Sequence, residues 1–135
     1  DIKPPEHKDI LIIEGAGGLM VPLNKNFLMI DLIEELKAEV VLVSRNYLGS
    51  INHTLLSVEA LQNRKIPVKG IIINGNPVNS TETFIRDYTG LNFLFRIADE
   101  QTINRQTILK YASTLNLKAN LSQQISPNRR NKKLD

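Results

Sequence analysis

The chain has no cysteine among its 135 residues. That excludes a disulfide framework, a thiolate nucleophile and Cys-ligated zinc. Long apolar runs are missing as well: no stretch approaches the roughly 20 residues needed to span a bilayer, so no membrane partner is expected. No Gly-Lys pair occurs anywhere in the sequence. A phosphate loop of the form G-x-x-x-x-G-K-[ST] needs that lysine to stabilise transferring charge, so this chain alone is not a working phosphate-loop enzyme. The opening, which starts at Asp1, lacks the charged-then-apolar pattern of a secretory signal. A cytoplasmic location is the default expectation.

Basic charge of the kind that tracks nucleic acid is also absent. The net charge is +3, but the last ten residues alone carry Arg129, Arg130, Lys132 and Lys133 against one acid. The residues before them hold equal numbers of basic and acidic side chains. A phosphate backbone is followed by charge spread along a face, whereas this charge sits at one end and reads as a solvated tail. No nucleic-acid partner is expected.

What is present is an alternation of short apolar runs with amphipathic segments. Residues 9–14 (Asp-Ile-Leu-Ile-Ile-Glu), 40–43 and 68–73 are apolar with no polar alternation, the pattern of strands buried on both faces. Residues 92–97 form a weaker fourth candidate. Between them, residues 26–37 place Phe27, Ile30, Ile33 and Leu36 at helical spacing, and residues 52–64 carry a broad apolar stripe. Residues 81–88 and 101–115 read as further helices. The expected architecture is α/β, a parallel sheet with helices on both faces, over residues 1–119. Residues 120–135 turn polar and basic and are expected to be a disordered tail.

Two segments and one residue could carry chemistry. Glu14 ends a candidate strand, and Gly15, Ala16, Gly17 and Gly18 follow it. Glycines let backbone N–H groups approach a phosphate closely, and a carboxylate beside bound phosphates is a natural Mg²⁺ ligand. The same segment also reads as an ordinary strand-ending turn. Residues 47–54 lead from a strand into a helix, with Ser50 or Asn52 as the expected cap. The free N–H groups and positive dipole end of a first helical turn suit an anion, although on spacing alone a capped helix without a ligand is the favoured reading. Asn74 ends the third apolar run, and its amide offers the donor–acceptor pair that matches an adenine edge; a strand-terminating Asn is the plain alternative. His53 and His7 have no second histidine nearby in sequence. A hydrogen-bonding role is expected for the first and an exposed position for the second.

Taken in order, these segments resemble dethiobiotin synthetase. The resemblance rests on residues 12–23 (Ile-Ile-Glu-Gly-Ala-Gly-Gly-Leu-Met-Val-Pro-Leu) with Asp31-Leu32 beyond them. The more specific match is residues 41–56 (Val-Leu-Val-Ser-Arg-Asn-Tyr-Leu-Gly-Ser-Ile-Asn-His-Thr-Leu-Leu), and residues 70–74 (Gly-Ile-Ile-Ile-Asn) complete it. It is close from residue 9 to about 76 and thins toward residue 115. The segment that corresponds to the family's N-terminal half, with its phosphate loop, is not in this chain. Ala98 stands where the family has proline after the fourth strand.

The resemblance implies a P-loop NTPase-like α/β fold, a homodimer, and a ligase of biotin biosynthesis. Such an enzyme uses ATP, Mg²⁺ and CO₂ or bicarbonate to close 7,8-diaminononanoate into the ureido ring of dethiobiotin. By matching positions it implies Glu14 as the catalytic, Mg²⁺-side carboxylate and Gly15, Ala16, Gly17 and Gly18 beside the phosphates. Asn74 and Gly75 would contact the adenine. Gly49, Ser50, Ile51 and Asn52 would hold the substrate carboxylate, reaching into the neighbouring subunit's site. Two other readings compete: a non-catalytic dimerisation or regulatory module of the same fold, and a cobyrinate-type amidoligase relative. The second would normally carry a nucleophilic cysteine, which this chain lacks.

Overall fold

Parallel strands need apolar sequence on both faces and a crossover long enough to return the chain to the same sheet end. Residues 40–97 supply both. In the computed structural model, which describes residues 10–114, the elements run β1 (Pro22–Asn24), β2 (Phe27–Leu28), α1 (Met29–Glu35), β3 (Val40–Arg45), α2 (Ser50–Asn63), β4 (Val68–Asn74), α3 (Asn79–Thr89), β5 (Phe93–Ile97) and α4 (Arg105–Thr114). Strands β3, β4 and β5 form a parallel sheet in that order. Leu42 lies beside Ile71, Ser44 beside Ile73, and Arg45 beside Asn74. Asn74 in turn lies beside Ile97. Two successive βαβ units build the sheet, and this is the parallel α/β arrangement the sequence implies.

Alternation along each strand assigns its faces. Leu42, Ile71, Ile73 and Phe93 point to one face, where they pack with Ile51 of α2 and Ile85 of α3. Burying each of the fully enclosed isoleucines contributes roughly 1.5–3 kcal/mol. A buried hydroxyl pair, Ser44 Oγ and Thr54 Oγ1 at 2.8 Å, ties β3 to α2 on the same face. A second cluster, Ile30, Leu61 and Ile66, joins α1 to the C-terminal half of α2. Arg64, at the end of α2, pairs there with Asp31 and Glu34 of α1.

The opposite face is open among the described residues. Val41 is 41% and Val43 60% exposed, and among the described residues β3 is an edge strand. Strands of a parallel sheet are ordinarily covered on both sides, so this is apolar surface without a cover.

Four expectations are corrected. Residues 10–14 are not a strand: the segment has no ladder partner, and Ile12 is 88% exposed. Apolar β-branched sequence becomes a strand only where another strand accepts its hydrogen bonds. The helix expected from residue 26 starts at Met29, because Phe27–Leu28 pairs antiparallel with Pro22–Asn24 across a Lys25-Asn26 turn. Its first turn is closed by Asp31 Oδ2, which accepts the Leu28 N–H at 2.6 Å. The last helix begins at Arg105 and not at residue 101. The cap of α2 is Gly49, not Ser50 or Asn52. The expected tail over residues 120–135, and His7, lie outside the described residues. No helix among those described is long and apolar enough to cross a membrane.

Candidate functional site

In open parallel α/β sheets, ligands bind at the carboxyl ends of the strands. Here those ends gather three segments. Asn46 follows β3, the turn of Gly75 and Asn76 follows β4, and Ala98-Asp99 follows β5. They touch one another. Asn46 Nδ2 donates to Asn76 O at 3.0 Å, and Gly75 N donates to Ile97 O at 2.7 Å. Arg45 pairs with Asp99 at 3.3 Å.

The helix start carries its own geometry. Gly49 adopts the left-handed conformation, φ 94°, which costs glycine nothing and strains other residues. It caps α2 without a side-chain hydrogen bond. Ser50 N donates back to Tyr47 O and His53 N to Gly49 O. The amides of Ile51 and Asn52 between them are bonded neither to a capping side chain nor within the turn. Tyr47 Oη and His53 Nδ1 lie 2.6 Å apart and close the loop from outside, the hydrogen-bonding role expected of His53.

The glycine segment docks on the first helix. A Cβ on Gly15 would stand 2.9 Å from Met29 Sδ, so a side chain there would make the flexible end of Met29 move aside. Val21 N donates to Gly18 O, and Ile30 N donates to Leu19 O at 2.9 Å. Nothing lies within 4 Å of where a Gly18 Cβ would be. Gly18, Leu19 and Met20 form one wall of an open cleft of about 510 Å³, and His53, Leu56 and Ala60 of α2 form another. The structure therefore brings the end of the glycine segment and the first half of α2 to one cleft. Glu14 is exposed and forms no hydrogen bond or ion pair among the described residues.

Three polar residues of the site were not singled out by sequence reasoning. Glu82, on the first turns of α3, is only 8% exposed. Its Oε1 accepts from Val78 N and from Asn46 Nδ2, each at 2.9 Å, and Arg96 Nη2 donates to its Oε2. Arg96 Nη1 also donates to Gly75 O at 2.9 Å. Burial alone would push the Glu82 carboxyl up, but the Val78 N–H, Arg96 and Asn46 together hold it below the usual carboxylate range. A clue lay in the helical spacing of Glu82 and Ile85, which puts both on the buried face of α3. The partners, 14 and 36 residues away, gave no local signal.

Among the described residues no group of three or more His, Asp or Glu side chains could enclose a metal ion. Mg²⁺ does not require such a cage: it keeps several waters and binds through one or two carboxylates plus substrate phosphates. A single unpaired carboxylate next to a glycine segment fits that mode.

Residues 1–107 match a family model described as AAA domain. The chain is 46% identical over 112 residues to a protein of Cytophaga hutchinsonii named ATP-dependent dethiobiotin synthetase BioD, covering 83% of this chain and 54% of that protein. A protein of the same name from Christiangramia forsetii is 47% identical over 112 residues, with the same coverage. One from Methanocaldococcus jannaschii is 58% identical over 69 residues, covering 51% of this chain and 32% of that protein. The chain thus spans about half the length of the curated relatives it matches.

Proposed function

The chain belongs to the AAA domain family, and we propose that it is the C-terminal portion of an ATP-dependent dethiobiotin synthetase, a homodimeric, cytoplasmic ligase of biotin biosynthesis. The observation that carries the reading is the start of α2. Its Gly49 cap and two uncommitted amides form an anion site of the kind that suits a carboxylate, within the segment that matches the family most specifically. The similarity to synthetases from three organisms supports it.

In the proposed reaction one amine of 7,8-diaminononanoate adds to CO₂ to give a carbamate, with loss of a proton. The carbamate takes the γ-phosphoryl group of ATP, forming a carbamic–phosphoric anhydride and ADP. The second amine attacks the carbonyl carbon, the ureido ring closes, and phosphate leaves. Each residue has a place in this sequence. Glu14 would hold Mg²⁺, and the amides of Gly15, Ala16, Gly17 and Gly18 would line the phosphate and diamine side of the site. Asn74 and Gly75 meet the adenine. Gly49, Ser50, Ile51 and Asn52 grip the far carboxylate of the diamine in the neighbouring subunit's site, which fixes the reacting amines by holding the other end of the substrate. Mg²⁺, when bound, neutralises the charge that develops on the transferring phosphoryl group.

The discriminating experiment compares Michaelis constants in the full-length protein. Gly49→Ala, which strains the left-handed cap that presents the amides of Ile51 and Asn52, is expected to raise the KM for the diamine while leaving the KM for ATP near its original value. Equal changes in both would remove the substrate role of this helix start.

A further inference from the structure

Buried Glu82 and half-buried Arg96 and Asn46 form a polar cluster with no part in the reaction as written. All three converge on one short turn. Gly75 O takes a hydrogen bond from Arg96 Nη1, Asn76 O takes one from Asn46 Nδ2, and Val78 N gives one to Glu82 Oε1. Within four residues, three backbone groups of the turn thus end on side chains from three separate places: the β3–α2 loop, α3 and β5. Glu82 joins the other two, taking Asn46 on one oxygen and Arg96 on the other. The turn itself bends at Gly75, φ 102°, directly after Asn74.

Stability alone does not call for this arrangement. A buried ion pair is often replaceable by apolar side chains without loss, and the carbonyls of an exposed turn would be satisfied by water. What three converging side chains supply is geometry: a planar guanidinium fork held by a carboxylate fixes two acceptors at once.

We propose that Glu82, Arg96 and Asn46 are positioning residues that hold the turn after β4 in the shape that reads a purine base, and that they set the preference for ATP over GTP. This rests on the reading that Asn74 and Gly75 face the base. Asn74 is the last residue of β4, and the guanidinium of Arg96 grips the carbonyl of the very next residue. A shift of the turn therefore changes the direction of the Asn74 amide, which must present a donor and an acceptor together.

The test uses the full-length protein, equilibrium binding of ATP and of GTP, and the melting temperature of each variant. Arg96→Lys keeps a positive charge opposite Glu82 but replaces the fork by a single ammonium. Glu82→Gln keeps an acceptor for Val78 and Asn46 but removes the charge that holds Arg96. Each is expected to lower the ATP-over-GTP preference about tenfold, the effect of losing a hydrogen bond to a charged group, with kcat at saturating ATP changed less than twofold. Asn46→Ala, at the half-buried rim of the cluster, removes the Asn76 contact and is expected to move the preference in the same direction even if the other two variants fold poorly. Asn74→Ala tests the underlying reading separately. If Asn74→Ala lowers the preference and the cluster variants do not, the positioning role is wrong. If Asn74→Ala leaves the preference unchanged, the base-contact reading is wrong, and the proposal falls with it. Losses that are equal for ATP and GTP and follow the melting temperature would show a merely structural cluster and overturn the proposal.

Discussion

Tyr47 Oη and His53 Nδ1 are 2.6 Å apart, with ring centroids separated by 5.7 Å. The contact bridges Tyr47, two residues before the Gly49 bend, to the first full turn of α2, so the loop between them is tied at both ends. In the full-length protein Tyr47→Phe is expected to raise the diamine KM about threefold, the scale of one ordinary hydrogen bond, without changing the KM for ATP. Because the pair is exposed, the melting temperature should barely move. Steady-state kinetics against each substrate checks both statements.

Glu82 makes stability depend on pH. Its carboxyl is depressed below the ordinary value of 4.5, so the folded state binds this proton less readily than the unfolded chain does. The resulting stabilisation is present above pH 4.5 and is lost as the pH falls below it, through the folded value. Asp31, depressed by the Leu28 N–H and by Arg64, acts in the same direction. Urea titrations of the full-length protein between pH 3 and 7 should therefore show an acid-side loss of stability that Glu82→Gln reduces but does not abolish. An unchanged profile in that variant would mean the carboxylate is not held as the structure has it.

The uncovered face of β3 gives a prediction about solution behaviour. Val41 and Val43 expose apolar surface on a strand that is also an edge among the described residues, a combination that invites association. The isolated 135-residue chain is expected to self-associate or precipitate at micromolar concentration, and Val43→Lys should shift it toward monomer. Sedimentation velocity on the two chains decides this. A monomeric parent chain with a cooperative unfolding transition is the contrary result.

The buried face should respond differently. Ile85 is fully enclosed between α3 and the sheet with Ile71 and Ile73. Ile85→Ala is expected to cost about 3 kcal/mol in the full-length protein, the usual penalty for a large-to-small change in a packed core. Denaturant unfolding measures it.

How much of this could be read in advance depended on how local the cause was. The runs at residues 40–43, 68–73 and 92–97 became β3, β4 and β5 with boundaries shifted by only one or two residues, because a buried parallel strand announces itself by continuous apolar sequence. The helix after Gly49 was legible from its stripe. The run at residues 9–14 carries the same signal, yet the structure makes no strand of it, since pairing is a property of two segments and the sequence displays only one. Phe27 fits a helical spacing equally well, but the Lys25-Asn26 turn, with Asn26 N bonded to Asn24 Oδ1 at 2.9 Å, folds it back onto Pro22–Asn24. The glycine segment, the Gly49 bend and Asn74 were visible as residue types with an evident chemical use. The cluster of Glu82, Arg96 and Asn46 was not: the helical spacing of Glu82 hinted at burial, but only the sheet order brings its partners Arg96 and Asn46 to it.

Catalysis by this chain in isolation is not expected. It contains no Gly-Lys pair and so has no loop of the kind that wraps a triphosphate. Purified alone with Mg²⁺ and ATP it should release no phosphate above background, and measurable turnover would contradict this.

The most direct measurement is dethiobiotin formation by the full-length protein from 7,8-diaminononanoate, bicarbonate, ATP and Mg²⁺, with Glu14→Ala run alongside. One dethiobiotin and one phosphate are expected per ATP consumed, with loss of both products in the variant. ATP consumed without dethiobiotin, or a Glu14→Ala protein that turns over at the parent rate, would contradict it.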